Sequence, residues 1–319
     1  MRLRNFVFIF IYIILFTVCP TGTYAVERIL VVAPHPDDEA IALGGWLADR
    51  GAAGAEIWAV IMTDGEAFPK AVRQNHLSRW PILRAPDFLR LGRLRREEGR
   101  QSLEILGIPA ERRFFLGYPT NILWRILHST DPSEPVRSKA TGQRFGIAEW
   151  PIGEEKTHPF SRLSWAADLD TILHQSRPGT ILIPSPFDTN ADHRAVLQML
   201  IQRLQANRLS PALLGYVVHH TSRRQFPHPL GYHPREELRP PAGFPSPIKV
   251  YPSAAALSTK ERALRSHRTQ INLKDGFLLG FIRVNELYWP LKPEDFPSLS
   301  WPNAQMAEQE TLESETGSR

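Results

Sequence analysis

Arg28-Ile29-Leu30-Val31-Val32-Ala33 runs directly into Pro34-His35-Pro36-Asp37-Asp38-Glu39. The first six residues are rich in β-branched and apolar side chains and do not alternate with polar ones. That is the pattern of a short strand buried on both faces, and a helical stretch from about Asp38 to Arg50 follows it. The pair is a βα unit. A strand covered on both sides belongs to a parallel sheet with helices over each face.

The same unit recurs downstream. Glu56 to Met62 reads as a second strand, ended by Thr63-Asp64-Gly65, and Leu94 to Leu106 as a charged amphipathic helix stopped by Gly107. Arg113 to Leu116 is a short strand, Trp165 to Gln175 a helix, Thr180 to Pro184 a strand and Asp192 to Leu204 a helix. Leu213 to His220 adds a strand, and an arginine-containing helix from Thr259 to Gln270 closes the domain. Strand and helix in turn predict an α/β, Rossmann-like, mainly parallel sheet with helices on both faces. Two segments break the rhythm. Residues 121–161 hold turn residues, a weak apolar pattern and Trp124, Trp150 and Phe160, so they read as an insertion beside the sheet, of the kind that forms lids or substrate walls. Residues 227–247 form a second loop, dense in proline and glycine.

The two ends read differently. Met1 to Asn5 carries Arg2 and Arg4, Phe6 to Val18 is almost wholly apolar, and Thr23-Tyr24-Ala25 has a small-residue ending, which is the layout of a secretory signal. The apolar run falls short of the roughly 20 residues that span a bilayer. A cleaved leader over residues 1–25 and an exported, periplasmic or extracellular product are expected, with an uncleaved membrane anchor as the other reading. Cleavage after Ala25 removes two arginines and no acidic residue, lowering the formal charge from +5 to +3. It also removes Cys19, so the product holds together by an ordinary core rather than by disulfides. The domain is expected over residues 26–302, and 303–319, with four glutamates and no apolar period, as a disordered polar tail. The mild basic surplus reads as solvated surface, not clustered into a nucleic-acid stripe, so no nucleic-acid partner is expected. Attraction to anionic lipid or polysaccharide, and with it peripheral membrane or cell-envelope association, is the second reading. Gly44-Gly45 comes without a G-x-G-x-x-G or Walker pattern, and no nucleotide site is assigned.

Open parallel sheets collect ligands where strands end and helices begin, and residues 34–39 lie at such a junction. A histidine and carboxylates packed there make poor filler, because unpaired buried charge is expensive. His35 and Asp38 are placed to converge on one divalent ion, which leaves Asp37 beside the ion's water as general base. Orienting His35 is its other reading. A catalytic zinc site takes three protein ligands and keeps a position for water, so a third ligand should follow another strand. Ser185 to Arg194 follows the strand ending at Pro184, and His193 there opens a helix with Asp192 as its N-cap.

With these residues in view the chain resembles the LmbE-like, or PIG-L-type, family of zinc-dependent N-acetylglucosaminyl deacetylases. Ala33 to Glu39 matches the family's A-(x)-H-P-D-D-E signature, and Asp192-His193-Arg194-Ala195 resembles the end of its H-x-D-H motif. Thr63 to Glu66, Arg96-Glu97-Glu98 with Leu106-Gly107, Leu116 to Pro119 and the helix Lys260 to Gln270 resemble further landmarks, so the similarity covers most of residues 27–270. The resemblance implies one zinc ion held by His35, Asp38 and His193, with Asp37 taking the proton of the attacking water. It also implies an amino-sugar or glycoconjugate substrate that loses its N-acetyl group.

Two positions depart from the family. Asn190 stands where the second motif usually begins with histidine; an asparagine can donate a hydrogen bond to an oxyanion but is no general acid near neutral pH. The acid role then falls to Asp37 or to another histidine, for which His219 is the candidate. Thr120 follows Tyr118-Pro119 where family members often carry aspartate. Arg96 is a candidate substrate contact or a partner of Glu97 or Glu98, and Asp64 a substrate contact or a turn residue. A zinc amidase acting on a non-sugar amide, and a non-catalytic carbohydrate-binding descendant, are the rival functions.

Overall fold

The computed structural model describes residues 26–221 and 225–292, so the expected leader and polar tail lie outside the described residues. In chain order the strands are β1 (Arg28–Ala33), β2 (Glu56–Thr63), β3 (Arg113–Tyr118), β4 (Phe145–Trp150), β5 (Glu154–Pro159), β6 (Thr180–Pro184), β7 (Ala212–Tyr216), β8 (His220–Thr221), β9 (Gln225–Phe226), β10 (Ile248–Val250) and β11 (Glu286–Leu291). The helices are α1 (Asp38–Ala52), α2 (Pro69–Gln74), α3 (Ala85–Ile105), α4 (Leu123–Leu127), α5 (Arg162–Ser176), α6 (Ala191–Ala206), α7 (Ala254–Ser266) and α8 (Arg268–Ile271). Nine strands form one sheet in the order β10-β11-β7-β6-β1-β2-β3-β4-β5, and β8 pairs with β9 apart from it.

The five central strands, β7-β6-β1-β2-β3, run parallel, with β1 in register against β2 from Arg28↔Glu56 to Ala33↔Ile61. Residues Ile29 to Ala33 are wholly buried, as the unalternating sequence predicted. The chain leaves β1 toward β2 on one side and leaves β6 toward β7 on the other. Right-handed crossovers therefore place α1 and α6 on opposite faces. Among the helices, α1, α3 and α7 pack together, and α6 packs with α4 and α5. The order reverses between β1 and β6, so the loops after these two strands diverge and open a crevice at the carboxyl edge.

Antiparallel strands flank the parallel core. Residues 121–161 are not a loop beside the sheet: β4 pairs with β3, and β5 with β4, so that they extend it. β5 carries Glu154, Glu155 and Lys156, all exposed, and this charged edge strand lacks the apolar period that would have revealed it. Trp150 and Phe160 of this segment are core residues. On the other flank β11 pairs antiparallel with β7. The closing helix is broken at His267 into α7 and α8, and β11 follows it, so the domain closes on a strand.

Helix α1 is itself interrupted. Leu43 leaves helical geometry, with φ −134° and ψ 41°, and the next turn starts afresh with free N–H groups. Glu286 of β11 accepts from the backbone N–H of Gly45 (2.8 Å) and Trp46 (2.7 Å). Lys260 of α7 donates to the carbonyl of Ile41 (3.2 Å) and to Glu286 (2.7 Å). The Gly44-Gly45 pair belongs to this break. A Cβ on Gly45 would stand 2.8 Å from Pro252.

Candidate active site

The loops after β1 and β6 bring His35, Asp38 and His193 together at the mouth of the crevice. His35 Nδ1 lies 3.3 Å from Asp38 Oδ2, His193 Nε2 lies 3.2 Å from the same oxygen, and the two ring nitrogens are 3.3 Å apart. Three donors bound at about 2.0 to 2.1 Å to one tetrahedral ion stand about 3.3 to 3.4 Å apart. The three atoms thus fit one face of a zinc tetrahedron. Asp38 Oδ1 is buried without a hydrogen-bond partner among the described residues, which also suits a cation.

The other ring nitrogens are held by carboxylates. His35 Nε2 lies 3.3 Å from Asp192 Oδ2, and His193 Nδ1 lies 3.1 Å from Asp188 Oδ2. Asp192 also accepts from the N–H of Asn121 (2.6 Å) and Leu123 (3.1 Å), and Asp188 from those of Val218 (2.8 Å) and His219 (3.0 Å). Such outer carboxylates fix the tautomer and orientation of a ligating histidine. Burial opposes charge on His193, but Asp188 and Asp38 outweigh it and raise the ring well above an ordinary histidine; on His35 burial is likewise outweighed by Asp192 and Asp38, and that ring is raised. Burial raises Asp38, but the two histidines overcome it and hold the carboxyl well below its usual range. The centre is tuned to hold positive charge.

Asp37 stands next to this group, its carboxylate 3.0 Å from Arg95 Nη2. Arg95 is itself fixed by the carbonyls of Pro36 (2.7 Å) and Gly65 (2.9 Å), and so ties α3 to the loops after β1 and β2. Burial pushes Asp37 up to about 6 against the pull of Arg95, with Asp38 adding to the rise. Its backbone adopts φ 121°, a region non-glycine residues rarely enter and one that costs on the order of 1–3 kcal/mol. Glu39 compensates by accepting the Asp37 N–H (2.8 Å) and pairs with His267 (2.9 Å).

The remaining sequence candidates are placed otherwise. Asn190, not Asp192, caps α6: its Oδ1 accepts from the N–H of Asp192 (2.8 Å) and His193 (3.3 Å). The N-cap expected at Asp192 is corrected because that carboxylate is turned toward His35. Arg96 does not pair with Glu97 or Glu98. It forms a bidentate bridge to Asp64 (2.8 and 2.9 Å) and reaches the Ile147 carbonyl (3.0 Å), so these two substrate-contact candidates pair with each other and tie α3 to the loop after β2 and to β4. His219 lies beyond the end of β7, not within the strand expected to reach His220. Its ring meets His193 edge-on at 4.9 Å and stacks on Phe277 at 5.6 Å. Ligand atoms of His35, Asp38, His193 and His219 all lie within 4.8 Å of one another. Burial lowers His219 to about 4, and the ring lies directly beside the three-donor group, where the sequence reading sought a proton donor.

Sequence reasoning missed Arg95 and Asp188. Arg95 adjoins the Arg96 it singled out, one step around the helix, and only burial distinguishes the two. Asp188 had a visible signal, an aspartate in the same post-strand loop as His193. Glu66, from the Thr63 to Glu66 landmark, is buried and accepts from the N–H (3.2 Å) and hydroxyl (2.9 Å) of Thr120. Burial raises it to about 7, with Asp64 adding to the rise.

An open, mostly parallel sheet with side chains able to hold a metal ion at its switch point defines a Rossmann-like α/β protein of the kind the sequence predicted. Residues 30–204 match the family described as PIG-L, GlcNAc-PI de-N-acetylase, and the chain belongs to that family. It is 26% identical over 172 residues to the diacetylchitobiose deacetylase of Thermococcus kodakarensis, a match covering 53% of this chain and only 46% of that protein. The fold resembles that of N,N'-diacetylchitobiose deacetylase from Pyrococcus horikoshii, with a TM-score of 0.51 at 18% identity over 88% of this chain and 89% of that one. It also resembles the zinc-inhibited form of a teicoplanin deacetylase, with a TM-score of 0.51 at 16% identity over 83% and 97% of the two chains. A 4-carboxy-2-hydroxymuconate hydratase from Pseudomonas putida is equally similar, with a TM-score of 0.51 at 14% identity over 87% and 100%. The fold by itself therefore does not choose the reaction.

Proposed function

We propose that the chain is a zinc-dependent hydrolase that removes the N-acetyl group from an N-acetylglucosamine-type sugar or glycoconjugate. The observation that carries this reading is the near-equilateral triangle of His35 Nδ1, Asp38 Oδ2 and His193 Nε2, with Asp37 held beside it by Arg95. Zinc bound there would bring the pKa of a water to about 7 and polarise the acetyl carbonyl. Asp37 would take the proton of the attacking water as the water's oxygen joins the acetyl carbon. It then returns a proton to the nitrogen as the carbon–nitrogen bond breaks, and acetate and the free amine leave. Arg95 keeps the carboxylate in place through both transfers.

Asp37→Asn should keep its zinc and lose acetate release by about 100-fold or more, whereas His35→Ala should lose the metal. Zinc content and released acetate, read on the same samples, check both. Full turnover by metal-replete Asp37→Asn protein would sink the base assignment. A panel of N-acetylated sugars and unrelated amides, scored by free-amine release, separates the sugar reading from a non-sugar amidase. The sequence feature behind a binding-only descendant is Asn190 itself, which stands where the second motif usually begins with histidine and cannot act as a general acid. Robust wild-type turnover ends that reading. We also propose export by a cleaved leader, checked by amino-terminal sequencing of the product; among the described residues no helix is long and apolar enough to cross a membrane.

A further inference from the structure

Between residues 69 and 94 the chain carries Lys70, Arg73, Arg79, Arg84, Arg90 and Arg93 against one acidic residue, Asp87. Their net charge of +5 equals that of the whole chain, so the rest balances to zero. The basic surplus is thus clustered, contrary to the sequence reading. In the same segment Trp80 is 59% exposed and Ile82 77%. Their neighbours are not: Leu77, Leu83 and Phe88 pack with Ala71, Val72 and Leu91 in a small core of their own. Ser78 and the Arg84 N–H both donate to Asp87 (2.9 Å each), which closes the loop between α2 and α3. Arg73 bonds the Pro81 carbonyl (3.1 Å), Arg90 the Leu77 carbonyl (3.5 Å), and the Arg84 guanidinium sits 5.1 Å over the Trp80 ring. A braced apolar tip is ringed by arginines.

The tip precedes the amino-terminal end of α3, on the side of the active site. Gly92 packs so closely on Asp64 and Glu66, just past the end of β2, that a Cβ there would meet theirs at 3.2 and 3.0 Å. The seven helical residues before Gly92 carry the loop about 10 Å beyond that level at 1.5 Å per residue. We propose that residues 78–84 are an interfacial anchor. It seats Trp80 and Ile82 among the headgroups of an anionic lipid surface, with Arg73, Arg79, Arg84 and Arg90 on the phosphates. Tryptophan favours the membrane interface, and arginine beside it supplies the attraction to anionic lipid. A soluble polyanion would engage the arginines but give an exposed tryptophan and isoleucine nothing to enter. The inference is independent of the reaction assigned to the site.

The test uses the full chain carrying Cys19→Ser and Ile82→Cys, labelled with an environment-sensitive fluorophore. Vesicles of phosphatidylcholine, with and without phosphatidylglycerol, are prepared with brominated acyl chains. The label should shift to the blue and be quenched only when phosphatidylglycerol is present. A label at Ile152→Cys, on the exposed turn between β4 and β5, should stay in water. Adding Arg79→Gln and Arg84→Gln should weaken vesicle partitioning measured at the label roughly 30-fold. A label at position 82 that stays in water while the chain is vesicle-bound through another segment overturns the proposal. So does equal response at 152, or a response to soluble dextran sulfate that matches the one to vesicles.

Discussion

Asp188 touches no reacting atom in the proposed chemistry, yet it sets the orientation of His193 and, through two backbone N–H groups, the path of the chain up to His219. Asp188→Asn should lower zinc affinity by about 10- to 100-fold, read by chelator competition, with the fold intact. Glu66 offers a different readout. Its carboxyl titrates near 7 in the fold, against 4.5 for the free side chain, because burial disfavours its charge. The folded chain therefore holds that proton more tightly than the unfolded one. This contribution is fully present below about 4.5 and is lost as pH rises to about 7, on the order of 3 kcal/mol in all. Urea denaturation across this range should show wild-type stability falling with pH and a flatter curve for Glu66→Gln; parallel curves would exclude it. At this scale the sequence was most readable where chemistry demands several unusual residues close together, as in residues 34–39. It was least readable where a role comes from distance in the chain, as with Arg95 on Asp37 across 58 positions.

Helix α6 shows how two neighbouring side chains can compete for one task. The structure gives the cap to the Asn190 oxygen, which leaves the amide N–H groups of that side chain to donate, and turns Asp192, the expected cap, toward His35. Both residue types suit an N-cap, so sequence preference could not choose between them, and the need to hold His35 decided it. Asn190→Ala should cost about 1 kcal/mol in urea unfolding, and Asn190→Asp much less, since aspartate caps as well. The core strands were legible nearly to the residue: β1 and β6 match their expected limits because two-sided burial leaves an unbroken apolar run. The flanking strands were not. β5 sits at the sheet margin with charged side chains in solvent, β4 leaves Phe145 and Ile147 about half exposed, and β11 interrupts its apolar run with Pro290, so none of the three offers the pattern of a covered strand. The break in α1 was invisible for another reason: Leu43 is an ordinary helix former, and the cause lies in Glu286 and Lys260, far along the chain.

Across the whole molecule, that break joins the beginning of the domain to its end. Lys260 and Glu286 are 2% and 1% exposed, and together they serve Ile41, Gly45 and Trp46. Lys260→Met strands a buried carboxylate and should cost about 3 kcal/mol, the low side for a broken buried pair because two backbone N–H groups still reach Glu286. Thermal unfolding of the single variant and of Lys260→Met with Glu286→Gln measures it, the second losing less than the first. The partner of Gly45 lies 241 positions away. During synthesis His35, Asp37 and Asp38 emerge early and His193 later, but the brace on the helix that carries Asp38 cannot form until β11 has left the ribosome. A nascent chain stopped before Glu286 would hold every member of the metal group and still lack that brace. Completion thus waits on translation itself, which leaves the growing polypeptide loose for longer than its early, strongly apolar first strand would suggest.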